Sequence, residues 1–230
     1  MIKIVTFSDT HWRGLARHQE YTRAFKIFFS ELKEYKPDLI VNVGDFYHSK
    51  TSSLTPELFD RLTWCFTELS NIATTINILG NHDVNLSNND RLDIITPIIN
   101  SLNKPNLFLY KKSGSYKHLI NNKNICFHVF SLIDKENWFD IKPDETADMN
   151  IALFHGAVKG CLTDLNWTFP HGEVDVDFFK KYDFTFLGDI HKQQFLSYRE
   201  TEETITEEQL LLYEKLYGKE HIKILEEINE

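Results

Sequence analysis

Short apolar runs alternate with amphipathic stretches along the first hundred residues. IKIVTF (2–7), LIVNV (39–43) and TTINIL (74–79) read as strands, and LIVNV is unbroken, as expected of a strand buried on both faces. Between them, 19–36 places Ala24, Phe25, Phe28, Phe29 and Leu32 on one helical stripe, which Pro37 ends. Thr55 followed by Pro56 supplies a cap and a first-turn proline for a second helix, running to about Asn71. A third helix falls near 90–101. The pattern then turns to strands: LFLY (107–110), SYKHLI (115–120), NICFHVFSL (124–132), MNIALF (149–154) and DFTFL (183–187). The stretch 134–148 is long and polar and is expected as an exposed loop. The order β-α-β-α-β followed by strands predicts an α/β sandwich with mixed sheets.

The end of the chain differs. Thr206 and Gln209 stand at capping-box spacing, Gly218 marks a stop, and Leu210, Tyr213, Leu216 and Tyr217 share a face. Ile222, Leu225 and Ile228 form a second set. These are read as two acidic amphipathic helices that pack on the body, are partly disordered, or dock a partner. They concentrate the charge: the chain is −9 overall, yet 200–230 alone holds ten glutamates against three lysines. The remainder is close to neutral. A protein bound to nucleic acid by non-specific phosphate contacts is usually basic, so any such binding must use local patches, a partner or metal ions.

Composition narrows the class. In 230 residues, 18 phenylalanines support a substantial core. No apolar run approaches the roughly 20 residues needed to span a bilayer, and the N-terminus does not read as a signal peptide. Cys65, Cys126 and Cys161 are widely separated and odd in number, which argues against a disulfide framework and fits a reducing cytoplasm.

The chemistry collects at the strand ends. Asp9 and His11 follow the first strand; Gly44, Asp45 and His48 the second; Gly80, Asn81, His82 and Asp83 the third. His155 follows MNIALF, and Asp189 and His191 follow DFTFLG. One Asp-x-His pair after a strand is more often a turn or a cap than a ligand set, and His128, inside NICFHVFSL, reads as structural. Five strand ends that all carry oxygen or imidazole groups are harder to explain as turns. Asp, Asn and His donors without thiolate suit Mn²⁺, Fe²⁺ or Zn²⁺. Their number exceeds the needs of one ion and fits two ions sharing a carboxylate.

These motifs, in this order and spacing over roughly residues 1–195, resemble the signature of the calcineurin-like metallophosphoesterase superfamily. Gly44-Asp45-x-x-His48, Gly80-Asn81-His82-Asp83 and LGDIHK further resemble the SbcD-type nuclease subunits of DNA double-strand-break repair, in the versions found in phages and large DNA viruses. The resemblance implies a sandwich of two mixed β-sheets flanked by helices. It implies two divalent metal ions, with Mn²⁺ expected: Asp9, His11 and His191 on the first, Asn81, His155 and Asp189 on the second, and Asp45 bridging. His82 would be a proton donor or transition-state stabiliser at the scissile phosphate, and His48 would position DNA for exonucleolytic cleavage. The implied activity is a DNA exo- and endonuclease in recombination or repair. Implied partners are DNA, an SbcC-like coiled-coil ATPase and a second copy in a homodimer, without a membrane. The compartment would be the cytoplasm, or the DNA-containing compartment of a host cell if the source is viral.

The sequence departs from the pattern in two places. The wider superfamily writes the last motif as Gly-His-x-His, where this chain has Gly188-Asp189-Ile190-His191. Asp189 would either ligate, bringing the two-metal cluster near neutrality and favouring Mn²⁺ over Zn²⁺, or orient a ligand from outside. Beyond His191 the further strands and DNA-capping domain of the family are replaced by an acidic stretch. The expected organisation is therefore a metallophosphoesterase domain at 1–197, short of its last strands, and an acidic helical tail at 198–230. Lys111, Lys112, Lys117 and His118 around a Gly-Ser turn, and Lys192 beside the metal motif, are the candidate DNA contacts; a solvated hairpin is the plainer reading of the first four. A small-substrate phosphodiesterase or phosphatase acting on nucleotides, and a truncated non-catalytic metal-binding subunit, are the competing readings.

Overall fold

The structure is a computed structural model describing residues 2–48, 54–88, 91–163, 165–192 and 194–196. The helical tail read at 198–230 lies outside the described residues, all of which fall within one unit, Met1–Leu196. Four parallel strands form the first sheet in the order β1 (Ile4–Phe7), β2 (Leu39–Asn42), β3 (Thr74–Ile78), β4 (Leu107–Tyr110). The second sheet is mixed. Its order is β10 (Phe184–Gly188), β7 (Met149–His155), β6 (Lys123–Phe130), β5 (Gly114–Ile120), and only β5 runs antiparallel to its neighbour.

Side-chain alternation along β2 explains the layers. Leu39, Val41 and Val43 face the second sheet, where they meet Ile125, Phe127, Val129, Ile151 and Leu153. Ile40 faces the other way, into a cluster with Phe25, Phe29 and Leu32 of α1 (His18–Tyr35), Leu58, Leu62 and Phe66 of α2 (Pro56–Ile72), and Ile95 and Ile98 of α3 (Ile95–Leu102). β2 is thus buried on both faces, which is why its sequence shows no polar alternation. The α/β sandwich with two sheets flanked by helices is the observed architecture.

The outer face of the second sheet corrects one expectation. The stretch 134–148 is not simply an exposed loop. It contains a 3₁₀ turn at Lys135–Asp140 that buries Trp138, which packs with Phe130, Phe154 and Phe179 over the sheet. The Trp138 indole N–H reaches the Ser131 carbonyl at 2.7 Å, so its polar atom is satisfied on burial. Uncovered, that face would leave Phe130 and Phe154 in water. Two strands escaped the sequence pattern, β8 (Val158–Lys159) and β9 (Val174–Asp175), because two residues show no period. α3 starts later than expected, where the Asp93 carboxylate accepts the N–H groups of Ile95 and Thr96 at 3.0 and 2.7 Å. His128 is structural as read: it is buried between Ser115 Oγ and Asn150 Oδ1, both at 2.8 Å.

Thr55 caps α2 as expected, accepting the Leu58 N–H at 3.2 Å while its hydroxyl donates to the Gly14 carbonyl at 2.8 Å. Thr55→Ala removes both bonds and should cost about 1–2 kcal/mol in urea unfolding. An unchanged unfolding midpoint would show that neither bond contributes.

Candidate metal centre

Parallel strands of both sheets end at one edge, and the residues that follow them converge there. The two sheets are tied at this edge by the His155 Nδ1–H donating to the Val43 carbonyl at 2.7 Å, and by the Asp189 N–H donating to the Asp9 carboxylate at 3.1–3.2 Å. The backbone turns sharply to aim the side chains inward. Asp9, His11, Asp45 and Asp189 all have positive φ, between 48° and 69°. A non-glycine residue in this region costs roughly 1–3 kcal/mol, and such residues persist where the surroundings over-determine them. Gly44 and Gly80 make the approach possible. Gly44 has φ 92°, and a Cβ there would lie 2.6 Å from His155 Nδ1. A Cβ on Gly80 would collide with the Asp45 carboxylate and backbone.

The polar groups fall into two sets that share Asp45. On one side, His11 Nε2 lies 3.8 Å from Asp9 and 3.7 Å from Asp45, and His191 Nε2 lies 3.8 Å from Asp9. On the other, His155 Nε2 lies 3.3 Å from Asp45 and 3.9 Å from Asp189, and the Asn81 amide donates to Asp189 at 3.1 Å. All seven residues that the sequence singled out as ligands therefore meet at one edge. The chemistry of the set fits divalent cations. Both ring nitrogens of His11 and Nε2 of His155 are buried without a hydrogen-bond partner, and the two Nε2 atoms face carboxylates. A buried polar group left unsatisfied costs about 1–3 kcal/mol, and a cation held between these nitrogens and the carboxylates removes that cost. With Nδ1–H engaged at Val43, Nε2 is the basic nitrogen of His155, as second-sphere contacts set it in metal-binding histidines.

Without a cation the groups compensate one another. Burial opposes charge on His155, but the neighbouring Asp45 carboxylate, 3.3 Å away, outweighs it and holds the imidazole at about 9. Burial likewise opposes charge on Asp45, and His155 outweighs it, keeping the carboxyl below its ordinary value. Asp189 is raised by burial, and His11 is lowered by burial.

His48 and His82 stand beside the first set. His11, His48 and His82 can bring one nitrogen each within 4.8 Å of one another, and the His82 ring centroid lies 4.9 Å from that of His11. His82 Nδ1 contacts the His48 carbonyl at 2.6 Å; since a carbonyl only accepts, Nδ1 carries hydrogen and Nε2 is left for substrate. His48 is lowered by burial, then by Arg13. The candidate lysines divide. Lys111 and Lys112 follow β4 at the level of this edge, but Lys111 is paired with buried Asp93 at 2.8 Å. Lys117 is paired with Asp144 and, opposite Cys126, sits roughly 17 Å along the strands from the level of His155. Lys192 donates to Asn166.

One residue of the site had no role in the sequence reading. Asp83 is 3% exposed and accepts the N–H groups of Tyr47 at 2.8 Å, Gly80 at 3.0 Å and Phe46 at 3.4 Å. Burial, then the nearby Asp45 carboxylate, pushes it up to about 7 against those amides. It binds the loop after β2 to the loop after β3. A carboxylate that serves backbone amides leaves no spacing signature, so only its place in the Gly-Asn-His-Asp run pointed to it.

Two outcomes follow. Gly80→Ala should abolish high-affinity binding of divalent cations, seen by calorimetry, while the far-ultraviolet circular dichroism stays folded; wild-type affinity would show that Asp45 can move aside. Because the metal-free His155 carries a proton below about 9, metal must displace it, so affinity should climb roughly tenfold per pH unit toward that value and binding should release a proton. Equal heats in buffers of different ionisation enthalpy would contradict this.

Comparison with known proteins places the chain. The calcineurin-like phosphoesterase profile matches residues 2–193. Uncharacterized protein R555 of Acanthamoeba polyphaga mimivirus is 39% identical over 213 residues, covering 86% of this chain and 15% of that protein, so the chain spans a small part of that relative's length. Among solved structures, Pseudomonas putida nuclease MPE is similar at 15% identity over 73% of this chain and 67% of that one, with a TM-score of 0.37. A novel archaeal phosphodiesterase is similar at 13% identity over 73% and 81%, also with a TM-score of 0.37. The profile match alone spans most of the chain and takes in every strand that feeds the metal centre, so the protein belongs to the calcineurin-like phosphoesterase family, a family of metal-dependent phosphoester hydrolases.

Proposed function

We propose that this protein is a Mn²⁺-dependent DNA nuclease of the SbcD type, exo- and endonucleolytic, acting in recombination or double-strand-break repair with an SbcC-like coiled-coil ATPase. The observation that carries the reading is the pairing of His82 with His48 beside the ligand sets. A two-ion hydrolase needs one histidine at the leaving oxygen; a second, tied to the first through its own carbonyl, suits a substrate that must be positioned along a backbone.

Asp9, His11 and His191 would hold one ion and Asn81, His155 and Asp189 the other, with Asp45 between them. Bound there, the ions would neutralise the phosphodiester charge and activate a water. The carboxylate at Asp189, in place of the superfamily's imidazole, lowers the net charge of the set and favours Mn²⁺ over Zn²⁺. In its doubly protonated form His82 would give the Nε2 proton to the departing sugar oxygen and keep the Nδ1 hydrogen on the His48 carbonyl. A DNA strand crossing the edge would meet exposed Lys112 and, beside His191, Lys192.

A second reading, a phosphodiesterase for nucleotides, is favoured by the lysines: Lys111 and Lys117 are neutralised by Asp93 and Asp144. The two readings separate in one assay. Purified protein with Mn²⁺ is given end-labelled duplex DNA, single-stranded DNA and a small aryl phosphodiester; cleavage of DNA is expected, and cleavage of the aryl ester alone would favour the second reading. His82→Ala should lower turnover roughly 10²–10⁴-fold with metal content unchanged. Loss of metal from that variant would overturn its role.

A further inference from the structure

Beside the metal centre, the chain between β8 and β9 folds into a hairpin. The Phe169 N–H donates to the Cys161 carbonyl at 2.8 Å and the Thr163 N–H to the Trp167 carbonyl at 2.9 Å, while Leu162 pairs antiparallel with Thr168. The turn closes at Asn166, whose φ is 59°. Two large apolar side chains there stand in water: Leu165 is 90% exposed and Trp167 55%. By contrast Trp12 and Trp138 are buried, and Trp64 packs against the helical core. Phe169 meets the Trp167 ring edge-on, at 87° with centroids 5.7 Å apart, and leaves much of the indole in water.

The hairpin is fastened to the segment carrying the last ligand. Gln194 Oε1 accepts the Leu162 N–H, and Gln194 Nε2 donates to the Leu162 carbonyl, both at 2.8 Å, and to the Lys192 carbonyl at 3.0 Å. Lys192, next to His191, donates from Nζ to Asn166 Oδ1. One of its three ammonium hydrogens is used there, and two are left for an anion. An exposed indole and an ammonium group thus lie on segments hydrogen-bonded to each other, one of them carrying His191.

We propose that Trp167 is a stacking platform for an unpaired nucleobase of the strand whose phosphate lies at the metal centre, with Lys192 holding the adjoining backbone phosphate. The inference rests on the nucleic-acid reading above. An indole face matches any base, so recognition is tolerant of sequence. A base inside a duplex has both faces covered by its neighbours, so the platform favours single strands and frayed ends over closed duplex.

The test uses the full chain with Mn²⁺ and two uncleavable phosphorothioate probes, a fluorescein-labelled oligothymidylate and a closed hairpin duplex, read by anisotropy. Trp167→Ala should weaken oligothymidylate binding about 5- to 100-fold and leave duplex binding at the wild-type level, while Trp167→Phe retains most of the affinity. Unchanged oligothymidylate binding by Trp167→Ala, equal losses on both probes, or no binding by the wild type would each overturn the proposal. Cleavage of unmodified DNA by the wild type is measured alongside: cleavage with an indifferent Trp167→Ala sinks the platform alone, and stacking-dependent binding without cleavage sinks the nuclease alone.

Discussion

Charge taken out of water must be matched where it lands, and in this fold the demand falls on Asp45. Its side chain is 1% exposed, and it stands on a left-handed backbone after the most deeply buried strand. An isolated carboxylate in such a place would be prohibitive. It is matched by the His82 N–H at 2.8 Å and by imidazoles on both sides, His11 and His155, which come from different sheets. Two glycines leave just enough room. The need to satisfy this one group explains why two sheets, four strained residues and five strand ends meet at a single edge.

Asp83 meets burial differently, and at about 7 it is held partly as the neutral carboxyl. It is nearly as buried, but its oxygens are taken by backbone amides from the loops after β2 and β3. Amides supply partial charge without titrating, so Asp83 is spent on shape while Asp45 remains available to cations. The two loops it joins carry His48 and His82, whose mutual contact through a main-chain carbonyl depends on loop spacing more than on either side chain.

Much of the fold was legible because burial on two faces writes itself as unbroken apolar runs. LIVNV and MNIALF could be read as strands, and what followed each could be read as the site. The groups of Asp9, Asp45, Asn81, His155, Asp189 and His191 were found this way. Features whose cause lies in tertiary packing were not. Trp138 sits in a polar stretch and is buried because a sheet face above it needs a cover. Lys117 counts as a free cation in the sequence and is paired to Asp144 across a loop. The tip of the hairpin at Trp167 has no period at all, and its exposure is visible only once everything around it is folded.

The ligand groups are spread across nearly the whole described chain, from Asp9 in the first loop to His191 after the last strand. Among the described residues β10 pairs only with β7, and it delivers Asp189 and His191. A polypeptide emerging from the ribosome therefore presents Asp9, His11 and Asp45 long before the rest of the cage exists. Both sets are complete only once residue 191 has been made. Completeness of the edge is thereby tied, through strand order, to the far end of the described unit.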